Sequence, residues 1–337
     1  MKLLTYLNEQ YQPRLGLIIN DNVIDLENSA KKLGMVLPAD MLSLLQDWDI
    51  NYELSKKLFE ELNSTQNYEV DKVIKLLSPI PNPPSCRDGY AFRQHVEAAR
   101  RNRGLEMIPE FDQYPVFYFT NHNSVFGEGE IVVEYDHLDK LDFELEWAVV
   151  IGKKGKNISS DEADNYIAGF TIMNDFSART LQMEEMKLNL GPAKGKDFAT
   201  ALGPYLVTPD ELESKLIKTE FGNKYHLEMK ARHNGIEISK GNTSEMNWTF
   251  AEIIERASYG VEILPGDVIG SGTVGTGCYL ELNGTRTRLA KERGEEYQPV
   301  WLKDGDVIEL EVENIGILKN IIKWNGSYHS ILKKKKI

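Results

Sequence analysis

The sequence predicts an α+β protein with a small N-terminal domain that contains β structure and a larger, β-rich second domain. Two observations support this class. Many short strand patterns and few long helical ones follow residue 79. A proline-dense stretch, residues 78–85, separates them from a β unit at the N-terminus. The chain has 337 residues, 41% of them apolar, which is enough for two unequal domains with real cores.

The N-terminal part is predicted to begin as a compact β unit and to continue as helix. Strand patterns alternate and turn over residues 2–7, 14–19 and 23–25. Apolar side chains at three- and four-residue spacing follow from about residue 28 to residue 63 and predict helices. Because the proline-dense stretch is stiff and extended, it marks the predicted boundary. Residues 1–78 then form the small domain and residues 79–337 the larger one.

The larger domain is predicted to place short strands and two helices around its charged motifs. The helices are expected over residues 90–102 and 177–187. Asn234-Gly235 lies between alternating residues and predicts a hairpin with a type I′ turn. The strands nearest the charged motifs are expected at residues 131–135, 143–151 and 166–173.

Composition argues against several classes of partner. The formal net charge is -13, from 39 basic and 52 acidic residues, whereas nucleic acids and anionic membranes select basic surfaces. The Lys333–Lys336 run is the exception, and four lysines at a tail are typical of a solubilising end. No apolar run approaches the length of a membrane span. With only two cysteines, Cys86 and Cys278, far apart in sequence, neither a disulfide framework nor a thiolate zinc site is expected, and a cytoplasmic location is predicted.

Clustered acids are the first candidate for chemistry. Glu144 and Glu146 are two apart in a predicted half-buried strand, so both carboxylates should leave the same face roughly 7 Å apart. Asp175 follows the next strand, and Asp88 lies upstream. Hard divalent cations take such carboxylate oxygens, so a Mg²⁺ or Ca²⁺ site is one interpretation. A solvated strand face whose acids happen to alternate is the other.

His95 is the second candidate. It lies among polar residues in a stretch that also carries Tyr90 and Phe92, whereas the other five histidines are expected to be structural or exposed. A neutral histidine beside a metal is suited to take a proton from water.

A glycine-rich segment, residues 270–275, matches the G-x-G-x-x-G pattern of dinucleotide-binding folds. Those folds require a helix after the glycines, and the residues that follow are predicted to form a strand and a turn. We therefore expect no nucleotide cofactor. The glycines are expected to let backbone amides approach a ligand.

Five short stretches follow one another along the sequence: Arg93-Gln94-His95, Glu144-Leu145-Glu146, Met173–Arg179, Gly195–Phe198, and Gly272-Thr273 to Leu282. Taken in this order, they resemble the motifs of the fumarylacetoacetate hydrolase family. The order and approximate spacing agree over residues 85–285, and the N-terminal β unit ending in Leu26 is similar to the family's small first domain. The resemblance implies a mixed β-roll catalytic domain, a homodimer, and Mg²⁺ as the first choice of metal, with Ca²⁺ or Mn²⁺ as alternatives.

The resemblance also implies roles for individual residues. The metal ligands would be Asp88, Glu144, Glu146 and Asp175. The catalytic groups would be the base His95, its partner Glu281, and two cations near the reacting oxygens, Arg179 and Lys196. The substrate contacts would be Tyr90, Tyr118, Gln182 and Thr273.

Together these residues suggest a metal-dependent hydrolase that cleaves a carbon–carbon bond in a β-diketo acid of the fumarylacetoacetate or acylpyruvate type, as in aromatic compound catabolism. A decarboxylase, hydratase, dehydratase or isomerase of small 2-oxo acids is the alternative, since these reactions share enolate chemistry. A protein that binds a small ligand without turnover is more remote. The chain departs from the family near Met186, where a tyrosine is expected, and around Arg100–Gly104, so the substrate stays open.

Overall fold

The computed structural model describes residues 1–333 and shows a mixed α/β fold with two main sheets. The predicted α+β class with a β-rich larger part is confirmed. Of the predicted lysine tail, Lys333 falls within the described residues and Lys334–Lys336 lie outside them. Among residues 1–333, every helix is too short or too polar to cross a bilayer.

The elements of the described residues are numbered in chain order. The strands are β1 Lys2–Leu7, β2 Pro13–Ile19, β3 Asn22–Asp25, β4 Lys75–Leu76, β5 Cys86–Gly89, β6 Phe117–Thr120, β7 Val125–Phe126, β8 Gly129–Val133, β9 Leu141–Asp142, β10 Leu145–Ile151, β11 Gly155–Lys156, β12 Ile167–Asp175, β13 Ser177–Ala178, β14 Thr200–Val207, β15 Leu216–Thr219, β16 Gly222–Tyr225, β17 Glu228–His233, β18 Ile236–Asn242, β19 Glu262–Ile263, β20 Val268–Gly270, β21 Val307–Val312 and β22 Gly316–Trp324. The α-helices are α1 Leu26–Lys32, α2 Met41–Gln46, α3 Trp48–Thr65, α4 Arg93–Arg101, α5 Ser160–Ala163, α6 Arg179–Met186, α7 Phe250–Ser258 and α8 Tyr279–Glu292. Short 3₁₀ turns lie at Pro109–Asp112, Asp164–Tyr166, Pro209–Lys215 and Thr243–Glu245.

The larger sheet has eleven strands, and three of the acidic residues, Asp88, Glu146 and Asp175, lie on its strands β5, β10 and β12. Its order is β3-β2-β1-β14-β12-β10-β20-β5-β6, with β4 on β1 and β7 on β14. Glu146 of β10 pairs with Met173 of β12, and Gly270 of β20 pairs with Asp88 of β5. This register brings side chains from distant parts of the sequence to one end of the sheet.

The N-terminal strands belong to the same sheet. β1 pairs antiparallel with β14, where Leu3 lies opposite Leu206. Helices α1 to α3 cover one face of the sheet, and their buried leucines share a core with Ala148 and Val150 of β10. The division of the chain at residue 78 stays a prediction.

The other face of the large sheet is covered as well. The five strands of the second sheet, in the order β18-β17-β21-β22-β8, contribute to a core with the opposite side of β10 and β12. Trp147 and Phe170 stack there with ring centroids 5.0 Å apart. Since β10 is buried on both faces, the prediction of a half-buried strand is wrong. The strand also begins at Leu145, so Glu144 precedes it.

The segment after the glycine-rich motif forms helix α8 and not the predicted strand. Its first amides, on Tyr279 and Leu280, donate to the carboxylate of Asp142 at 2.7 and 2.9 Å. This cap comes from 137 residues away, so no local pattern announces it. The prediction of no nucleotide cofactor rested on the absence of a helix after the glycines, and that reason is therefore wrong. In this fold the first amides of the helix donate hydrogen bonds to the Asp142 carboxylate.

The other predicted elements near the site are found with shifted bounds. Helix α4 begins at Arg93 and α6 at Arg179, later than predicted. Ser177 pairs with Asp142 in a short two-stranded sheet, which delays the start of α6. The predicted hairpin at Asn234-Gly235 is confirmed, with φ values of 50° and 80° at the two turn residues.

Candidate active site

Four buried carboxylates converge at one end of the adjacent strands β12, β10, β20 and β5. One oxygen each from Asp88, Glu144, Glu146 and Asp175 lies within 4.8 Å of the others. Their relative exposures are 3%, 5%, 0% and 0%. The alternative of a solvated strand face is therefore wrong. The two glutamates that the sequence placed together are indeed adjacent, and they meet two aspartates from other strands.

Close backbone packing fixes this cluster. The amide of Glu144 donates to Asn174 Oδ1 at 3.1 Å, and the amide of Gly272 donates to Asp88 Oδ1 at 3.0 Å. Gly270 lies directly behind Asp88, and a Cβ there would collide with Asp88 Oδ1 and lie 2.6 Å from Met173 Sδ. The glycines of the motif thus make room for the acidic cluster.

Replacing Gly270 by alanine should therefore weaken metal binding and lower the free energy of unfolding by about 1–3 kcal/mol, as overpacking of a core does. Gly275→Ala is the matched control from the same motif, because its Cβ would have the side chain of Gln94 as nearest neighbour at 3.2 Å. Calorimetric titration with Mg²⁺ and thermal unfolding measure both effects. Equal metal affinity in the two variants would remove the packing role assigned to Gly270.

Two buried cations face the carboxylates. Lys196 Nζ donates to Asp175 Oδ2 at 2.6 Å and also to Glu144 Oε2. Arg179 donates to Glu144 Oε1 at 2.8 Å and is held from behind by Asp142, whose Oδ2 accepts its Nε at 2.8 Å. Glu144 is thus bonded to both cations.

The pKa values of the four clustered carboxyl groups are shifted in different directions by their surroundings. Burial, followed by the charge of Asp175, raises the pKa of Asp88 to about 7. Burial also raises the pKa of Asp175 to about 6, although Lys196 opposes the rise. Burial and the neighbouring charge of Asp88 lift the pKa of Glu146 well above its ordinary value. Burial acts in the same direction on Glu144, but Lys196 and Arg179 outweigh it and lower the pKa of that group. The four carboxyl groups of the cluster therefore carry more potential negative charge than the two facing cations, Lys196 and Arg179, neutralise.

The carboxylate cluster fits a divalent cation. Glu146 Oε2 and Asp175 Oδ1 are buried and accept no hydrogen bond from the described residues. Buried acceptors without donors are costly, and a cation satisfies them directly. All four donors are carboxylate oxygens, the set that Mg²⁺, Ca²⁺ and Mn²⁺ prefer.

A histidine–glutamate pair lies next to the cluster. His95 Nδ1 lies 2.6 Å from Glu281 Oε2, and the backbone amide of Thr276 donates to Glu281 Oε1 at 2.9 Å. The pair joins α4 to α8, and both side chains are buried. Because a carboxylate accepts from Nδ1, Nε2 is the nitrogen left to accept a proton.

A cavity of about 500 Å³ opens onto these groups. The four predicted substrate contacts all line it: Tyr90, Tyr118, Gln182 and Thr273. Tyr118 donates to Asp175, Thr273 Oγ1 donates to Glu146 Oε1 at 3.1 Å, and Gln182 Oε1 accepts from Arg179 at 3.0 Å. The ring of Tyr90 stands edge-on to His95, with centroids 6.1 Å apart. The twelve residues predicted for the site thus lie together, and their roles stay proposals.

Several residues at the site were not predicted. Asp142 is fully buried and holds both Arg179 and the start of α8. Asp142 lies two residues before Glu144, which could have marked it as a site residue, but the residues that it contacts are distant in sequence. Pro192 lines the cavity from the loop after α6, and Asn102 and Arg103 line it after α4, within the Arg100–Gly104 segment where the sequence departs from the family and no residue was assigned. Loop residues such as these carry no periodicity that would identify them.

Comparison with known proteins identifies the family to which the chain is similar. The sequence matches the family model described as "Fumarylacetoacetate (FAA) hydrolase C-terminal" over residues 85–323. The oxaloacetate tautomerase YisK of Bacillus subtilis is 31% identical over 327 residues, covering 91% of this chain and 95% of that protein. The mitochondrial oxaloacetate tautomerase Fahd2a of Rattus norvegicus is 32% identical over 317 residues, covering 92% and 87%. The solved fumarylacetoacetate hydrolase of Exiguobacterium antarcticum has a TM-score of 0.68 at 23% identity, covering 96% of this chain and 100% of that one. The protein therefore belongs to the fumarylacetoacetate hydrolase family.

Proposed function

We propose that the protein is a divalent-metal-dependent enzyme that interconverts the keto and enol forms of a small 2-oxo acid, with oxaloacetate as the first substrate to test. The observation that carries the proposal is that His95 lies at the same cavity as the acidic cluster, so a proton acceptor would lie beside a bound cation. Two relatives named as oxaloacetate tautomerases, each more than 30% identical and matched over most of both chains, support the choice of reaction.

Asp88, Glu144, Glu146 and Asp175 would hold the metal, with Mg²⁺ as the first choice. When bound, such an ion supplies Lewis acidity that favours the enolate form of a 2-oxo acid. The remaining steps belong to side chains of this protein.

His95 would move the proton. Its Nδ1 is held by Glu281, so Nε2 would take a proton from the carbon next to the keto group and deliver it to the enolate oxygen, which gives the enol; the reverse sequence restores the keto form. Glu281 keeps the ring in one orientation and stabilises the imidazolium that forms.

Cations would stabilise the developing charge. Lys196 and Arg179 line the same cavity as His95 and already bind carboxylate oxygens. A negative enolate oxygen placed among them is stabilised more strongly than in water, since the site has a low dielectric constant. Gln182, which accepts from Arg179, orients the guanidinium.

Arg103 would select a second carboxylate on the substrate. It lies on the cavity wall, where its Nε donates to the Ala99 carbonyl at 3.1 Å. No carboxylate among the described residues forms an ion pair with it. A guanidinium free of protein acids is suited to bind a carboxylate in two-pronged fashion. This favours a 2-oxo dicarboxylate over a simple 2-oxo monocarboxylate.

Replacing Arg103 by alanine should therefore raise KM for oxaloacetate by about 10- to 100-fold, because a hydrogen bond to a charged group contributes roughly 1.5–3 kcal/mol. The KM for a 2-oxo acid with a single carboxylate should stay unchanged. Arg101→Ala is the matched control, since Arg101 is exposed on α4 and does not line the cavity. An equal loss for both substrates would contradict a role in selecting the second carboxylate.

Hydrolytic cleavage of a β-diketo acid is the second candidate. The same His95–Glu281 pair could take its proton from water, and Lys196 and Arg179 would then stabilise the departing enolate. The solved hydrolase quoted above is under 25% identical and supports the fold alone. The tautomerase proposal is therefore preferred.

A substrate panel separates the two candidates. The metal-loaded protein is given enol oxaloacetate, acylpyruvates and fumarylacetoacetate, and products are followed by proton NMR and enol absorbance. The proposal expects faster loss of the oxaloacetate enol than in a matched Mg²⁺ buffer, without cleavage of the acylpyruvates. Cleavage of acylpyruvates without any effect on oxaloacetate would establish the hydrolase instead.

The homodimer and the cytoplasmic location also stay proposals. Light scattering coupled to size-exclusion chromatography measures the first, and a mass equal to one chain would contradict it. The chain mass for comparison is 38.4 kDa.

A further inference from the structure

A second group of metal-binding side chains lies beside the acidic cluster. A ring nitrogen of His95, a carboxylate oxygen of Glu144 and Sγ of Cys278 lie within 4.8 Å of one another. All three side chains are buried, and Cys278 forms no disulfide. Sulfur, imidazole and carboxylate together are a donor set that Zn²⁺ takes and that Mg²⁺ avoids.

The histidine of this group is held in place by a carboxylate. Its Nδ1 lies 2.6 Å from Glu281 Oε2, and Glu281 is itself held by the Thr276 amide at 2.9 Å. A carboxylate behind the ring is how proteins commonly fix a metal-binding histidine, leaving Nε2 for the ion. His95 and Glu144 both line the cavity, so an ion from solvent can reach these two ligands, whereas Cys278 is fully buried and does not line it.

We propose that His95, Glu144 and Cys278 form a second cation site that takes a thiophilic divalent ion such as Zn²⁺ and thereby blocks the histidine–glutamate pair. Arg179 and Lys196 contact Glu144, and their charges oppose a further cation. These charges weaken binding, so the ion binds reversibly, unlike a permanent structural zinc. It inhibits because it occupies His95, the proposed proton acceptor. The inhibition rests on the proposed function, whereas the binding does not.

Cobalt(II) provides a direct test, because a thiolate ligand gives it a charge-transfer band in the near ultraviolet. The Mg²⁺-loaded protein is titrated with Co²⁺. Wild type should develop the band, and Cys278→Ala should lose it. Cys86→Ala is the matched control, since Cys86 is the other buried free cysteine and lies on β5 beside the acidic cluster. A wild type without the band, or a band lost only in Cys86→Ala, overturns the proposal.

Zinc affinity provides the second test, measured on Mg²⁺-loaded protein by competition with a chromophoric chelator. Cys278→Ala and His95→Gln should each weaken Zn²⁺ binding by roughly 100-fold or more, since losing even a group behind a ligand costs 10- to 100-fold. The histidine variant keeps the test decisive if the cysteine variant fails to fold. Unchanged affinity in both variants would place Zn²⁺ in the four-carboxylate cluster and overturn the site.

Activity measurements test the second cation site and the proposed function separately. Zn²⁺ should inhibit oxaloacetate tautomerisation by wild type, and Cys278→Ala should resist inhibition at the same concentration. Equal inhibition of wild type and Cys278→Ala contradicts the inhibitory role. Zinc bound through Cys278 in a protein without activity on oxaloacetate would support the site and contradict the proposed function.

Discussion

Replacing Glu146 by glutamine should abolish tight Mg²⁺ binding and, with it, turnover. Glu146 is fully buried, its Oε1 accepts from Thr273, and its Oε2 accepts no hydrogen bond from the described residues. Glutamine keeps the shape but removes the charge that a hard cation requires. Metal affinity should fall by roughly 100-fold or more, beyond the loss seen for groups that only support a ligand. Calorimetric titration and metal content after dialysis measure the effect.

The same variant should have the opposite effect on the metal-free protein. Burial raises the pKa values of Glu146 and Asp88, and the charge of Asp88 raises that of Glu146 further, so keeping both acids in the folded protein near neutral pH costs stability. Removing one of these acids should raise the melting temperature without metal, while Mg²⁺ should stabilise wild type alone. Glu130→Gln, an exposed acid on β8, is the control and should behave as wild type. A Glu146→Gln protein that binds Mg²⁺ normally would contradict the metal site.

Replacing His95 by glutamine should leave metal binding intact and lower kcat by about 10²- to 10⁴-fold, the range that a positioned general base contributes. The physical reason is the loss of the only imidazole that lines the cavity among the described residues. Mg²⁺ affinity should stay near the wild-type value because His95 is not among the four clustered carboxylates.

His329→Gln is the control for the histidine experiment, because His329 is exposed in the C-terminal segment. Its kcat should equal that of wild type. Should His95→Gln lose Mg²⁺ as completely as Glu146→Gln, His95 would have to be reassigned from proton transfer to support of the metal.

The clustering of the candidate site residues was largely predictable, but not from the spacing of Glu144 and Glu146, which left a solvated strand face open. The family resemblance added Asp88 and Asp175 to the two glutamates. Sequence could not show that the glutamates are buried, since this depends on two layers packing on opposite faces of β10. Burial is what turns an acidic face into a candidate cation site.

The failures share one cause, which is contact between residues that are distant in sequence. Helix α8 was predicted as a strand because its N-terminal cap is Asp142, far upstream. The cavity wall contributed by Arg103 and Pro192 comes from loops, whose positions depend on the elements they connect. Local propensity carries no information about either arrangement.

The most direct measurement is the enol-to-keto rate of oxaloacetate for one protein sample, first stripped with a chelator and then reloaded with Mg²⁺. If the acidic cluster holds the cation and His95 moves the proton, the rate should fall to that of buffer on stripping and return on reloading. A reloaded protein no faster than Mg²⁺ buffer, or a rate indifferent to stripping, would contradict the proposed function.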